Sequence, residues 1–184
     1  STTFEKIDRV QFSDIDQSST VFTGYSDYTS VVGNVVAGNS YTFTATANAN
    51  GWTNDIVLVW IDYNHDGTFD PVAELAFTSA IGSGPWTGSI TIPATATYGT
   101  TRMRVRLSDS NAGHNATPCG TSTYGEVEDY TLNITDPTLA VSADANKAKI
   151  AVYPNPFHDV LKISDVKAVK SVSVNDMSGR QVKT

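Results

Sequence analysis

The sequence is poor in cysteine and histidine, and this scarcity excludes several classes of protein. One cysteine, Cys119, and three histidines are present among 184 residues. A single cysteine forms neither an internal disulfide nor a cysteine-based metal cluster. The histidines are scattered, and the sequence contains no H-E-x-x-H or G-x-S-x-G motif. We therefore expect that this chain is not itself an enzyme, although a longer parent protein could be a secreted hydrolase.

Positive charge and long apolar runs are scarce as well. Twelve Lys and Arg residues stand against nineteen Asp and Glu, for a net charge of -7. Nucleic-acid-binding proteins present clustered basic residues, so this balance argues against a nucleic-acid partner. No apolar run approaches the ~20 residues that a membrane span needs. The first residues resemble neither an initiator sequence nor a signal peptide, so we expect a trimmed or mature piece of a longer chain.

The patterns that are present are those of β-strands. Residues 40–46 and 86–92 alternate between apolar and polar, and residues 55–61 form a continuous apolar run typical of a strand buried on both faces. In residues 101–107, Met103, Val105 and Leu107 share one face and three arginines share the other. Turn-forming residues separate these runs, and no amphipathic helix pattern occurs. We predict an all-β protein whose residues 1–136 form a β-sandwich of jelly-roll type.

The pattern changes after residue 136. Residues 137–149 combine Ala, Ser, Asp, Asn and Lys without periodicity, which indicates a linker. Two short strand-like runs then follow, at residues 160–163 and 171–174. A unit of residues 150–184 is too short to be a stable domain alone. We therefore expect the final segment to be part of an incomplete second domain.

Residues 62–70 carry the strongest signal for a ligand site. Oxygen-bearing side chains recur at alternate positions, and a glycine follows the third of them, as in the D-x-[DN]-x-[DN]-G calcium motif. Calcium takes six to eight oxygen ligands, which such a loop supplies. The predicted ligands are Asp62, Asn64, Asp66, Thr68 through its carbonyl, and Asp70. An EF-hand has a glutamate ligand at position 12 of its loop. That position is Ala73 here, and Glu74 follows one residue later, so this is not an EF-hand. The alternative is a hairpin turn without a metal.

Two acidic residues, Glu126 and Glu128, share a predicted strand face with Tyr130, Leu132 and Ile134. Buried carboxylates must be paired with an opposite charge, hydrogen-bonded or bound to a metal ion. Three partners are open: the cation of the 62–70 loop, an arginine of the 101–107 strand, or backbone amides. A fourth interpretation places both residues in a solvated loop before the strand. Glu126, Glu128 or Asp129 would complete the cation's ligand shell or clamp the loop to the sheet, with Asp27 a weaker candidate.

Aromatic residues in or near loops offer a second kind of site. Trp52, Trp86 and Tyr124 are candidates for stacking on a sugar or peptide ligand. The alternative is that such residues pack into the core or against loops. A binding role would make the chain a carbohydrate- or protein-substrate-binding module of a secreted hydrolase, for example a metallopeptidase.

Four separated blocks resemble the GEVED domain family, over roughly residues 4–136. They comprise residues 24–29, 59–70, 101–106 and 118–130, and the last contains the sequence Gly-Glu-Val-Glu-Asp intact. The resemblance implies a β-sandwich accessory module of large secreted bacterial proteins. It also implies that Cys119 pairs with a cysteine upstream of residue 1.

The end of the chain is similar to the type A C-terminal sorting domain of type IX secretion cargo from Bacteroidota. The resemblance is carried by Tyr153, Pro154, Asn155, Pro156 and Phe157, and further on by the residues around Gly179. It implies an Ig-like β-sandwich, here incomplete, that the type IX translocon recognises during export across the outer membrane. The combined prediction is a secreted or cell-surface, calcium-stabilised, non-catalytic module with a C-terminal sorting signal.

Overall fold

A computed structural model describes residues 5–20, 23–47, 52–111 and 113–138, and the short segments 152–153, 162–163, 173–175 and 180–183. Every regular element in these ranges is a β-strand, so the all-β prediction is confirmed. The chain divides into two compact units, residues 1–140 and 141–184. Among the described residues, no helix is long and apolar enough to cross a membrane.

One sheet of the first unit has four strands. They are β1 (Ile7–Phe12), β2 (Ile15–Ser18), β4 (Ser40–Ala47) and β7 (Trp86–Thr91). The spatial order is β2-β1-β4-β7, and all three pairings are antiparallel. The strands β4 and β7 correspond to the alternating runs predicted from the sequence.

The other sheet has five strands. They are β3 (Tyr25–Val36), β5 (Asp55–Ile61), β6 (Leu75–Thr78), β8 (Gly99–Asp109) and β9 (Glu126–Thr135). The order is β3-β9-β8-β5-β6, in which β3 and β9 are parallel and the other pairs are antiparallel. The strand β5 has the bounds expected from its apolar run, and β8 extends the predicted strand at both ends.

The two sheets pack face to face around one apolar core. The four-stranded sheet contributes side chains such as Val10, Phe43 and Ile90, and the five-stranded sheet contributes Val59 and Val105, all fully buried. The inward face of β8 carries the predicted apolar residues of the 101–107 run, while the arginines lie on the outer face. This arrangement confirms the predicted sandwich.

The described residues of the second unit form two antiparallel strand pairs. The strand β10 (Val152–Tyr153) pairs with β11 (Lys162–Ile163), and β12 (Val174–Asn175) pairs with β13 (Gln181–Lys183). Tyr153 of the predicted sorting signal lies in β10. The remaining residues of that signal, Pro154 to Phe157 and Gly179, lie outside the described residues.

Candidate metal loop and the buried carboxylates

The predicted calcium loop connects β5 to β6 and begins directly after the last residue of β5. The backbone turns sharply within it, with positive φ angles of 61° at His65 and 81° at Gly67. Glycine adopts such angles without strain, which explains its place in the motif. The loop is therefore a short irregular turn, and its side chains are not spread along a strand.

Several loop side chains turn back onto the loop backbone. Asn64 Oδ1 accepts a hydrogen bond from the Asp66 amide at 2.8 Å, and Asp66 Oδ1 accepts one from the Thr68 amide at 2.8 Å. Asp70 Oδ1 accepts from the amides of residues 72 and 73 at 2.8 and 2.6 Å. These bonds lower the pKa of Asp66, through Thr68, and of Asp70, through its two amide donors. Both carboxylates are therefore ionised at neutral pH.

Asp62 differs from the other loop residues because it is buried. Its side chain points across the loop, where Oδ2 accepts a hydrogen bond from the Gly67 amide at 3.1 Å. The residue is 5% exposed, and its Oδ1 has no hydrogen-bond partner among the described residues. A buried carboxylate oxygen without a partner is costly, by about 1–3 kcal/mol or more. This orphaned oxygen is the feature of the loop that best fits a hard cation.

Glu74 joins the two ends of the loop through hydrogen bonds and was not among the predicted site residues. Its Oε1 accepts hydrogen bonds from the amides of Tyr63 and Asn64 at 3.0 and 3.4 Å, and its Oε2 accepts one from the Asp70 amide at 2.8 Å. The residue is 3% exposed. Glu74 therefore ties both ends of the loop together. Its position one residue after the EF-hand ligand position was the available signal, which sequence reasoning used only to exclude an EF-hand.

The structure places Glu126 and Glu128 in the core between the sheets, as strand parity predicted. The strand β9 begins at Glu126, so the interpretation as a solvated loop is wrong. Glu126 accepts hydrogen bonds from the Ile7 amide at 3.0 Å and the Ser26 hydroxyl at 2.9 Å. Glu128 accepts them from the hydroxyls of Ser19 and Tyr130, the latter at 2.7 Å. Hydroxyl groups and one backbone amide thus satisfy these carboxylates.

Burial dominates the acidity of both glutamates. Glu128 is fully buried, and this raises its pKa to about 7 even though two hydroxyl donors act in the opposite direction. Burial also raises the pKa of Glu126, against the hydrogen bonds from Ile7 and Ser26. Both residues therefore favour the protonated form more than an exposed glutamate does.

Glu126 and Glu128 do not join the 62–70 loop. Asp62 lines a groove on the outer face of the five-stranded sheet together with Arg102, Arg104 and Thr131, whereas Glu128 points into the core. Glu128 pairs in register with Val105, which pairs with Val59, three residues before Asp62. Strand and residue spacings of about 4.8 and 3.4 Å put the Cα atoms of Glu128 and Asp62 roughly 14 Å apart. The expectation that these glutamates complete the cation's ligand shell is therefore wrong.

Asp129 lies on the outer face, where it forms a buried ion pair. Arg104 donates to both of its carboxylate oxygens at 2.7 Å, and Tyr25 donates through its hydroxyl at 3.1 Å. Asp129 is fully buried and the Arg104 side chain is 17% exposed. The Arg104 guanidinium also lies over the Phe69 ring, 5.1 Å from its centroid. Asp129 thus clamps the 62–70 loop to the sheet through Arg104, and its oxygens are occupied by this arginine rather than facing the loop.

The arginines of β8 also hold the segment that leads into β9. Arg104 Nη1 donates to the Pro118 carbonyl at 3.0 Å, and Arg106 Nη2 donates to the Gly120 carbonyl at 2.7 Å. Cys119 is exposed as a free thiol, and Arg104 Nη1 approaches its Sγ at 3.6 Å. Its pairing with an upstream cysteine stays a prediction.

Gly125, which opens the Gly-Glu-Val-Glu-Asp stretch, is required by the backbone. Its φ is 106°, a value that side chains rarely adopt. A Cβ atom there would lie 2.0 Å from the Leu107 carbonyl oxygen. Only glycine lets the chain enter β9 this close to β8, which gives the first letter of the motif a physical reason.

The three aromatic candidates have different surroundings. Trp86 is 6% exposed and packs in the core, so its predicted role in ligand stacking is wrong. Trp52 is 43% exposed, and Tyr124 is half-buried.

Asp27, the weaker metal candidate, is exposed on β3, where its Oδ1 accepts a hydrogen bond from the Thr29 amide at 2.9 Å.

Considered only by geometry, the described residues contain no group of three or more His, Cys, Asp or Glu side chains already arranged to hold a metal ion. Calcium binding by the 62–70 loop would therefore require its carboxylates to move closer together.

Comparison with known families agrees with the resemblances noted in the sequence. Residues 56–133 match the GEVED domain family, from within β5 to within β9. Residues 151–184 match the secretion system C-terminal sorting domain. No curated protein matches the chain. Residues 56–133 are therefore similar to a GEVED domain and residues 151–184 to a type IX sorting domain, and the second similarity indicates type IX export to a secreted or cell-surface location.

Proposed function

We propose that the first unit is a non-catalytic accessory module, stabilised by calcium, of a protein exported through the type IX system. The sorting domain supports the route of export, and calcium is available outside the cell. The observation that carries the calcium proposal is the buried Oδ1 of Asp62, which lacks a hydrogen-bond partner in the described part of the chain. A hard cation would satisfy this oxygen.

The proposed ligands are the predicted loop residues. Asp62, Asn64, Asp66 and Asp70 would contribute side-chain oxygens, and Thr68 its carbonyl. Glu74 would act as a positioning residue, because its carboxylate already holds both ends of the loop through three amides. The ion supplies charge compensation for three loop aspartates.

The Asp129–Arg104 pair links this loop to the rest of the domain. Arg104 contacts Phe69 of the loop, Asp129 of β9 and Pro118 of the segment between β8 and β9. A loop fixed by calcium would therefore hold Phe69 against Arg104 and support the outer face of the sheet. Binding that is restricted to the folded state stabilises it by about 2.7 kcal/mol when the ion is at 100 times its Kd.

Thermal unfolding with excess calcium and with chelator tests the proposal. We expect calcium to raise the Tm by about 10 °C at 100 times the Kd, from the usual relation between stability and Tm in domains of this size. Asp66→Ala should abolish most of this shift, whereas Asp14→Asn, an exposed carboxylate elsewhere, should retain it. An equal Tm shift with calcium in wild type and Asp66→Ala would show that the loop does not bind the ion.

A substrate-binding module is the second candidate. A groove of about 660 Å³ opens beside the loop, and its lining includes His65, Phe69 and Arg102. Arg102 forms an ion pair with Asp129 at 3.8 Å, yet 53% of its side chain is accessible and can contact a ligand. Trp52 supplies an exposed aromatic surface elsewhere on the unit. Pull-down on insoluble polysaccharides and protein substrates, with Arg102→Ala and Trp52→Ala as variants, tests this idea; no retention of the wild type on any polymer would end it.

A further inference from the structure

A second group of acidic residues lies at the other end of β5 from the 62–70 loop. Asp55 is the first residue of β5, and Asp109 is the last residue of β8. The two are direct partners in the antiparallel register. Residues paired in this way share a face, with Cβ atoms about 4.5–5.5 Å apart, and like charges in such a pair destabilise the sheet. The sequence therefore places two carboxylates side by side where an apolar pair would be expected.

This face is the inner one. Asp55 continues the row of Val57, and Asp109 continues the row of Leu107, both of which are fully buried in the core. The opposing sheet brings Glu5, two residues before the buried Ile7 of β1. The Ile7 amide donates to Glu126, which pairs in register with Leu107, two residues before Asp109. Glu5, Asp55 and Asp109 therefore lie near one another at one end of the sandwich, on three different segments.

Two of these carboxylates are buried, and each has one oxygen without a hydrogen-bond partner in the described part of the chain. Glu5 is 3% exposed and Asp55 is 2% exposed. Glu5 Oε2 and Asp55 Oδ1 have no hydrogen-bond partner in the described ranges. The contrast with Glu126 and Glu128 is direct, because each of those residues has hydrogen-bond donors for both of its oxygens.

The charges of the cluster act on one another. Burial raises the pKa of Glu5 to about 7, and the negative charges of Asp55 and Asp109 add to this effect. Burial raises the pKa of Asp55 to about 6, with a further contribution from Asp109. Either protons or a cation must therefore compensate the cluster near neutral pH.

We propose that Glu5, Asp55 and Asp109 form a second site for a divalent cation of the calcium type. Buried oxygen ligands of negative charge are the donors that a hard cation prefers. The three carboxylates do not stand close enough to coordinate an ion directly, so binding draws Glu5 and Asp55 towards Asp109. The ion then joins the segment before β1 to the ends of β5 and β8, and so links the two sheets at this end.

Calorimetric titration with calcium alone, at pH 7.5, tests this site separately from the loop. The wild type, Asp66→Ala, Asp55→Asn, a Glu5→Gln and Asp55→Asn double variant, and the control Asp14→Asn are compared. We expect Asp55→Asn to bind one calcium ion fewer per chain than the wild type, and the double variant to do the same. Asp66→Ala should retain the ion of this cluster, and Asp14→Asn should bind as the wild type does.

The outcomes separate this proposal from that of the loop. If the loop binds no ion, the wild type binds one ion and Asp55→Asn binds none, which still supports the second site. Equal calcium stoichiometry in wild type and in Asp55→Asn would overturn it. Thermal melts in chelator show that each variant is folded. An Asp55→Asn protein that gains stability at pH 7.5 while the calcium stoichiometry is unchanged would identify a cluster that holds only a proton.

Discussion

Replacement of Glu128 by glutamine is expected to change the pH dependence of stability rather than to unfold the domain. Glutamine keeps the size of the side chain and can still hydrogen-bond to the hydroxyls of Ser19 and Tyr130. It removes a charge from a fully buried position. The variant therefore isolates the free energy of ionising this side chain inside the core.

The magnitude follows from the pKa of Glu128. Burial raises it from 4.5 to about 7 in the folded state, and each pKa unit corresponds to 1.36 kcal/mol. The folded state binds the proton more tightly than the unfolded state, so this contribution is complete below pH 4.5. It is lost as the pH rises to 7, by about 3 kcal/mol in total. Relative to wild type, Glu128→Gln should therefore gain about 3 kcal/mol in free energy of unfolding between pH 4.5 and pH 8.

Urea denaturation followed by circular dichroism at pH 4.5 and pH 8 measures this difference. Glu5, Asp55 and Glu126 titrate in both proteins, so the comparison of variant with wild type at each pH removes their contribution. Asp14→Asn serves as the control, because this exposed carboxylate should show no comparable gain. A Glu128→Gln variant that loses the same free energy at both pH values would refute the reasoning, since the charge would then carry no penalty in the core.

Three further substitutions address the other parts of the site. Gly125→Ala should lower the free energy of unfolding by at least about 3 kcal/mol, because of backbone strain and the clash with β8. Gly82→Ala should change it little, because Gly82 has open space around it. Equal effects of the two substitutions in urea denaturation would contradict the argument. Asp129→Asn should lower the free energy of unfolding by up to about 3–5 kcal/mol, because it leaves the largely buried Arg104 without its charge partner. An unchanged urea midpoint would count against the clamp. Glu74→Gln should weaken calcium binding by calorimetry, and wild-type affinity would show that the loop holds its shape without this carboxylate.

Sequence reasoning identified those strands whose own apolar pattern is sufficient to predict them. The apolar run of β5 and the alternation of β4, β7 and β8 identify these strands because each buries a complete face or both faces. The strands β1, β2, β3 and β6 were not predicted. Irregularities in pairing interrupt the alternation of β1 between Ile7 and Arg9 and of β3 between Tyr28 and Val32. The strands β2 and β6 have four residues each, and only one residue of β2, and none of β6, is buried. Short edge strands give too few alternating positions for a periodic pattern to emerge.

The candidate site shows the same division. Alternation and the glycine of the 62–70 motif identified the loop, and strand parity placed Glu126 and Glu128 on the inner face. The partners of these glutamates could not be predicted, because Ser26 and Ser19 are 100 and 109 residues away in the sequence. Trp86 was a candidate for ligand stacking because it lies beside a turn, yet as the first residue of β7 it packs into the core.

The sequence by itself determined the strand class of the fold, the inward face of β9 and the oxygen-rich loop after β5, since each depends on residues close together in the chain. The tertiary structure decided which charges meet. The parallel pairing of β3 with β9 brings Ser26 to Glu126, the neighbouring positions of β8 and β9 bring Arg104 to Asp129, and the pairing of β5 with β8 sets Asp55 beside Asp109. Register between distant strands controls these contacts, and no local pattern specifies it.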